Sequence, residues 1–334
     1  MANIMVTERC NLRCPYCFAD EFVGKSTDDI TLDNFKKALE FALTNDEEEV
    51  GIIGGEPTVH NQFKEILDII INDQRIKVCT LFTNGILLNR FVNQLIHPKF
   101  KLLINCNSPI DIGEGNFVKM IENITLFSKQ YYMQDRITIG INMYKPDFEY
   151  DYIIEVLKSL DYKYVRTAVS VPNNEGMKGN SLTYFRRMKP RVLKFYHKLL
   201  DEGIVPFYDC NAIPRCIFTP LEYKCLEQKI KDTGRNDINI LSELSSCTPV
   251  IDILPDLSVI RCFALSQYMK AKTEDFCHID EARAYFSYCF DTLAYHINAD
   301  TLCRGCKKKE TLKCAGGCYA FKVHDIFKYK EAIN

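Results

Sequence analysis

Residues 2–17, Ala-Asn-Ile-Met-Val-Thr-Glu-Arg-Cys-Asn-Leu-Arg-Cys-Pro-Tyr-Cys, read as a short apolar strand running directly into a polar loop that holds Cys10, Cys14 and Cys17. Five more β-rich apolar runs follow: 49–53 (EVGII), 76–82 (IKVCTLF), 101–106 (KLLINC), 136–143 (RITIGINM) and 163–170 (KYVRTAVS). Between them, 31–43, 61–73, 87–96, 116–132 and 148–160 carry apolar residues at i, i+3, i+4 spacing, the mark of amphipathic helices; Phe35, Leu39, Ala42 and Leu43 form one such stripe. Strands alternating with helices predict parallel β/α units. The fold class is therefore α/β, a partial (β/α)6 TIM-like barrel rather than a closed eightfold one. Chemistry in such folds sits on loops at the C-terminal strand ends. The cysteine loop, Gly54-Gly55-Glu56-Pro57 and Thr83-Asn84-Gly85 all fall there, after strands one, two and three.

Beyond the sixth strand, a polar stretch (173–180) leads into a helix over 181–202 and a short apolar run, Ile204 to Tyr208. Cysteines, prolines and charges then replace regular alternation. The expected division is a barrel over 1–208 and a small cysteine-rich α+β domain over 209–334. The 334 residues have a formal net charge of −2, which lacks the basic face that nucleic acid requires. No stretch reaches the ~18 apolar residues of a membrane span, and the first residues lack a signal-peptide design. A cytoplasmic location is expected, with neither membrane nor nucleic acid as partner.

Sixteen cysteines in a chain of that location point to metal or redox chemistry rather than disulfides. Three thiolates at C-x3-C-x2-C spacing suit three corners of a [4Fe–4S] cube, which a structural site holds with four cysteines. No fourth cysteine is nearby, so one iron is expected to stay open to an exogenous ligand. Zinc would want four ligands. The C-x3-C-x-aromatic-C loop, with Tyr16 before Cys17, resembles the radical S-adenosylmethionine (SAM) superfamily, as does Gly54-Gly55-Glu56-Pro57, which alone would be a turn.

The resemblance implies a cofactor whose methionine amine and carboxylate chelate the open iron, with the Gly54 and Gly55 backbone and Glu56 holding the amino group. It implies further polar cofactor contacts at Thr83, Asn84, Asn105, Asn107, Asn142 and Arg166, residues that could equally serve strand-end hydrogen bonding. It also implies reductive cleavage of SAM to a 5′-deoxyadenosyl radical that abstracts hydrogen from substrate, with a flavodoxin or ferredoxin as electron donor.

Toward the C-terminus, Cys303-x2-Cys306-x7-Cys314-x3-Cys318 forms a dense ligand set, with Cys247 and Cys262 bracketing a hairpin that turns at Pro255-Asp256. This layout resembles the SPASM extension of peptide- and protein-modifying radical enzymes. Three departures stand out: Leu257 where the hairpin usually has Gly, a spacing of seven rather than five, and no cysteine after Cys318. Cys210 and Cys216 are the available replacements, while Cys225, Cys277 and Cys289 read as core thiols. One or two auxiliary iron–sulfur clusters are expected. The family pattern groups Cys247, Cys262 and Cys318 in the nearer one and Cys303, Cys306 and Cys314 in the distal one; the division of Cys210 and Cys216 stays open, as does a zinc ribbon over Cys303 to Cys318.

The resulting expectation is oxidative modification, such as a cross-link, of a precursor peptide or protein side chain. The cysteine loop begins at residue 10, so no leader-recognition domain is expected before it. Two other readings stand beside it: a dehydrogenase or epimerase of a small alcohol or sugar, and a non-catalytic iron–sulfur scaffold or redox sensor. Tyr131, Tyr132, Tyr144 and His60 read as packing or surface residues.

Overall fold

Strand β1 (Ala2–Met5) is buried along its whole length in the computed structural model, which describes residues 1–24, 28–170, 181–208, 213–235, 250–297, 300–314 and 316–320. The alternation continues through α1 (Leu32–Ala42), β2 (Glu49–Ile53), α2 (Phe63–Asn72), β3 (Val78–Thr83), α3 (Val92–Leu95), β4 (Phe100–Asn105), α4 (Pro109–Ile112), α5 (Glu114–Thr125), β5 (Ile137–Met143), α6 (Asp151–Ser159) and β6 (Tyr164–Val169). All six expected strands form within two residues of their expected ends. Helix α1 starts as its sequence suggests, with the Thr31 hydroxyl accepting the Asn34 N–H as an N-cap. The fold is α/β with the strand–helix succession of a partial TIM-like barrel.

The later elements are α7 (Ser181–Asp201), β7 (Val205–Phe207), α8 (Pro220–Asp232), β8 (Asp252–Ile253), β9 (Ser258–Ile260), β10 (Ala271–Lys272), α9 (Ile279–Phe286), α10 (Thr292–His296) and α11 (Lys307–Glu310). The chain divides into two compact units, Met1–Ile139 with Pro249–Phe286, and Gly140–Thr248 with Ser287–Asn334. This grouping by packing differs from the division by sequence character at 208/209, and strand pairing is the reason. In the first unit the strand order is β10-β9-β8-β1-β2-β3-β4, so the cysteine-flanked hairpin continues the first unit's sheet. β8 pairs parallel with β1, Asn3 opposite Asp252. In the second unit β5, β6 and β7 pair in parallel.

The first unit's core runs through β1, β2 and the hairpin: Met5, Ala19, Phe22, Ile53, Leu254, Ile260 and Phe263 pack together, with Cys17 against their edge. The Phe263 ring meets Phe18 and Phe22 edge-on at 5.2 and 5.7 Å between centroids. The segment after the cysteine loop is thus clamped on the hairpin. One expectation is corrected. Cys225 and Cys277 are exposed rather than core thiols and Cys289 is half-buried, while Cys79 and Cys106 are buried in the core. Lys309 is buried and donates to the Tyr295 and Ile297 carbonyls at the end of α10. Among the described residues no helix is long and apolar enough to cross a membrane.

Candidate active site

The chain leaves β1 and β2 side by side, and backbone hydrogen bonds then tie their two loops together. Gly55 N–H donates to the Thr7 carbonyl (2.8 Å) and Glu56 N–H to the Arg9 carbonyl (2.9 Å). Only glycine permits this approach. A Cβ on Gly54 would lie 2.8 Å from the Thr7 oxygen, and one on Gly55 2.3 Å from the Arg9 oxygen and 3.0 Å from the Cys10 Cβ. The two glycines therefore set the position of the cysteine loop itself. Arg9 is held in turn by Asp29, through Nε at 3.0 Å, and by the Val59 carbonyl at 2.8 Å. Sequence reasoning missed Thr7, Arg9 and Asp29; nothing local distinguishes them from surface residues.

Glu56 is buried at 1 % exposure and gathers the neighbouring strand end. Its Oε1 accepts from Thr58 N (3.2 Å), Thr58 Oγ1 (2.6 Å) and Thr83 Oγ1 (2.8 Å), and its Oε2 from Asn84 N (2.7 Å). Burial pushes its pKa up, and these donors oppose that by favouring the charged form. Asn84, also buried, donates through Nδ2 to Asn11 Oδ1 (2.7 Å) inside the cysteine loop. Thr83 and Asn84 thus join Glu56 and the cysteine loop in one polar network. Gly85, at φ +79°, makes the turn, and His60 is a buried packing residue bonded to the Ile30 carbonyl (2.9 Å).

The three thiols are half-buried. Cys10 Sγ accepts Leu12 N–H (3.4 Å), and Arg13 Nη1 donates to the Cys10 and Leu12 carbonyls (2.9 and 2.8 Å), so the guanidinium braces the loop from within. Asn107 Nδ2 donates to Cys14 Sγ (3.8 Å), and Tyr16 Oη donates to Asn107 Oδ1. Burial raises all three thiols, Cys10 to about 11 and Cys14 to about 12, with Cys10 and Cys17 adding to the rise at Cys14. Ionising three adjacent thiols needs a compensating positive charge, which iron supplies on displacing their protons. The donor set, three soft sulfurs that each take an N–H group, fits an iron–sulfur cluster.

Asn105 ends β4 beside these residues in sequence. Asn142 and Arg166 belong to the second unit, where Arg166 Nη1 donates to Asn142 Oδ1 (3.4 Å). Cys262 lies in the first unit, at the start of a turn over Phe263–Leu265. Cys216, Cys303, Cys306, Cys314 and Cys318 lie in the second. Cys210 and Cys247 fall outside the described residues. Tyr132 is exposed, as expected of a surface residue.

Residues 4–160 match the Radical SAM superfamily, so this stretch of the chain is a radical SAM domain, and that superfamily's cofactors are S-adenosylmethionine and a [4Fe–4S] cluster. A GTP 3',8-cyclase of Clostridium perfringens (strain SM101 / Type A) is 27% identical over 212 residues, 60% of this chain and 64% of that protein. A GTP 3',8-cyclase of Alkaliphilus oremlandii is 32% identical over 131 residues, 36% of this chain and 41% of that protein. The chain thus spans less than two thirds of either relative. Among solved structures, it is similar to native anSMEcpe with bound AdoMet and Kp18Cys peptide (TM-score 0.62, 17% identity, 95% of this chain and 88% of that one). It is likewise similar to Streptococcus suis SuiB bound to S-adenosylmethionine (TM-score 0.61, 16% identity, 96% and 72%). Identities this low speak for the fold alone.

Proposed function

We propose that this chain modifies a side chain of a peptide or protein oxidatively, by radical SAM chemistry. The observation that carries the reading is the cysteine loop, strapped to Gly54-Gly55-Glu56-Pro57, in a fold that follows anSMEcpe and SuiB along nearly its whole length. Both of those proteins have been captured with peptides. When bound, the cluster and SAM supply reductive carbon–sulfur cleavage and a 5′-deoxyadenosyl radical.

The chain's own residues hold and orient. Cys10, Cys14 and Cys17 would hold the cluster by three of its irons. The Gly54 and Gly55 backbone and the Glu56 carboxylate would hold the methionine ammonium, a charge-assisted contact. Asn105 and Asn107 would be further polar contacts of the cofactor, and the family resemblance gives Asn142 and Arg166 the same role. The C-terminal cysteines would hold auxiliary clusters in a SPASM-like arrangement, which would supply an acceptor for the electron left by an oxidised product, and a flavodoxin or ferredoxin would be the donor of the first one. The barrel over 1–208 and the cysteine-rich part over 209–334 keep these functional roles although packing groups them otherwise. The identity to GTP 3',8-cyclases favours a second reading, a small-molecule substrate such as a nucleotide.

The test is anaerobic reconstitution of wild type and the Cys10/Cys14/Cys17→Ala triple variant, followed by iron and sulfide analysis and a dithionite assay for 5′-deoxyadenosine. The triple variant is expected to lose about four irons and all cleavage. Wild type with one radical and two auxiliary clusters should hold about twelve irons, or about eight with one auxiliary cluster. Stimulation of cleavage by a peptide pool supports the leading reading, and stimulation by GTP alone supports the second. Absence of deoxyadenosine with any reductant leaves only an iron–sulfur scaffold.

A further inference from the structure

Helix α5 buries three residues, Met120, Asn123 and Ile124, and the middle one is polar. Asparagine is a poor choice for an apolar helix face, because it favours caps and turns and its amide is costly to bury without partners. Here, at 4 % exposure, its Nδ2 donates to the Gly85 carbonyl (2.8 Å) and to the Ile86 carbonyl (3.0 Å). Both amide protons are thus spent on the loop that follows β3. Met120, one turn earlier on α5, closes on the same loop. A Cβ on Gly85 would lie 3.2 Å from the Met120 Cγ and 2.9 Å from the Ile104 Cγ2.

The loop held in this way carries donors to Glu56. Asn84 N–H reaches its Oε2 (2.7 Å) and Thr83 Oγ1 its Oε1 (2.8 Å). Inside the loop, Gly85 N–H donates to Thr83 Oγ1 (3.0 Å) and Ile86 N–H to Asn84 Oδ1 (3.1 Å). Fixing the Gly85 and Ile86 peptide units therefore fixes the Thr83 and Asn84 side chains as well. The Asn84 amide is then aimed at Asn11 Oδ1 (2.7 Å) in the cysteine loop. A leucine at position 123 would fill a similar volume but leave two buried carbonyls facing an apolar side chain, a costly arrangement.

We propose that Asn123 is a positioning residue for the SAM site: it sets the β3 loop so that Glu56 and the cysteine loop keep the geometry that receives the methionine end of the cofactor. This role rests on the reading of Glu56 as the partner of the methionine ammonium.

The test uses the full chain, reconstituted anaerobically, as wild type, Asn123→Leu, Asn123→Asp and Ile124→Val. Asn123→Leu removes both donors, and Asn123→Asp keeps the shape while setting a carboxylate against the two carbonyls. Ile124→Val trims the same helix face and leaves the two loop bonds in place. SAM binding by equilibrium dialysis, without reductant, should weaken about tenfold or more in both Asn123 variants. The KM for SAM in deoxyadenosine formation should rise while kcat changes far less. Iron content should match wild type, and amide hydrogen exchange without SAM should speed up at residues 84–86. Ile124→Val should lower the melting temperature and leave SAM affinity and this exchange as in wild type.

Unchanged SAM affinity in both Asn123 variants overturns the proposal, even where the loop exchanges faster. An equal loss of affinity in Ile124→Val also overturns it, since the effect would then be one of general stability. Where neither Asn123 variant folds, Asn123→Ser, which keeps one hydroxyl donor, takes their place with the same expectations at a smaller fold-change. Failure of that variant too, with Ile124→Val folded, would make the residue structural and end the proposal. Wild-type SAM affinity in Glu56→Gln, beside weakened binding in Asn123→Leu, would sink the reading of Glu56 and leave the role of Asn123, through Asn84 and Asn11, standing.

Discussion

Gly55 shows how much a missing side chain can determine. Its motif reads as a cofactor cradle, but the tightest approach at Gly55 is internal, with the Arg9 carbonyl oxygen 2.3 Å from where a Cβ would be. Gly55→Ala must push β1's loop off β2's loop, breaking the hydrogen bond to Thr7. Overpacking of this kind costs about 1–3 kcal/mol, so a lower melting temperature is expected. A specific loss of about four irons, with the remaining iron retained, would distinguish a displaced cysteine loop from general unfolding. An unchanged iron count and melting temperature would show that the strap is not needed. Glu56 makes the complementary point. Its carboxylate was legible as a candidate ligand for an ammonium, whereas its bonds to Thr58, Thr83 and Asn84 follow from which strand ends lie beside it.

At the scale of elements, the hairpin of β8 and β9 is the most informative. Its three-residue loop, Pro255-Asp256-Leu257, is closed by Leu254 N–H to the Ser258 carbonyl (2.8 Å), and Leu257 sits at φ +65°. Loops of this length commonly place a residue in the left-handed region, where glycine is favoured. The departure noticed in sequence therefore marks real strain, on the order of 1–2 kcal/mol for a non-glycine residue. Leu257→Gly is expected to raise stability by roughly 1 kcal/mol in chemical denaturation while leaving SAM cleavage unchanged. A loss of stability would mean that the Leu257 side chain contributes more by packing than its backbone costs. The strand and helix limits of β1 to β6 were legible because each run is short, apolar and punctuated. The pairing of β8 with β1 was not, since a two-residue strand carries no partner information.

For the molecule as a whole, that pairing makes stability depend on pH. Asp252 on β8 is buried, and Asn3 Nδ2 on β1 donates to its Oδ1 (2.8 Å). Burial lifts its pKa to about 7, against bonds from Asn3 and the Phe263 N–H. The folded state thus keeps a proton that the unfolded chain releases near pH 4. Stability should be greatest below about pH 4 as far as this group is concerned, fall as pH rises towards 7, and level off above. Asp252→Asn, neutral at every pH and able to pair with the Asn3 amide, is expected to flatten this slope and raise the melting temperature at pH 8. Melting curves of both proteins between pH 5 and 8 test it. Parallel pH profiles would show that Asp252 is not the group responsible.

The amino-acid sequence by itself determined the α/β succession, and it marked Cys10, Cys14 and Cys17, with a second set of cysteines near the end of the chain, as candidate cluster ligands. These signals are local: hydrophobic periodicity, loop chemistry and ligand spacing are all properties of a few consecutive residues. Tertiary structure alone decided that the Cys262 hairpin extends the first unit's sheet. It also decided that Cys225 and Cys277 face solvent, and that Lys309 is buried. Each of these depends on which distant segments come together. Such contacts follow from strand register and core packing across more than a hundred residues, and no short window of sequence records them.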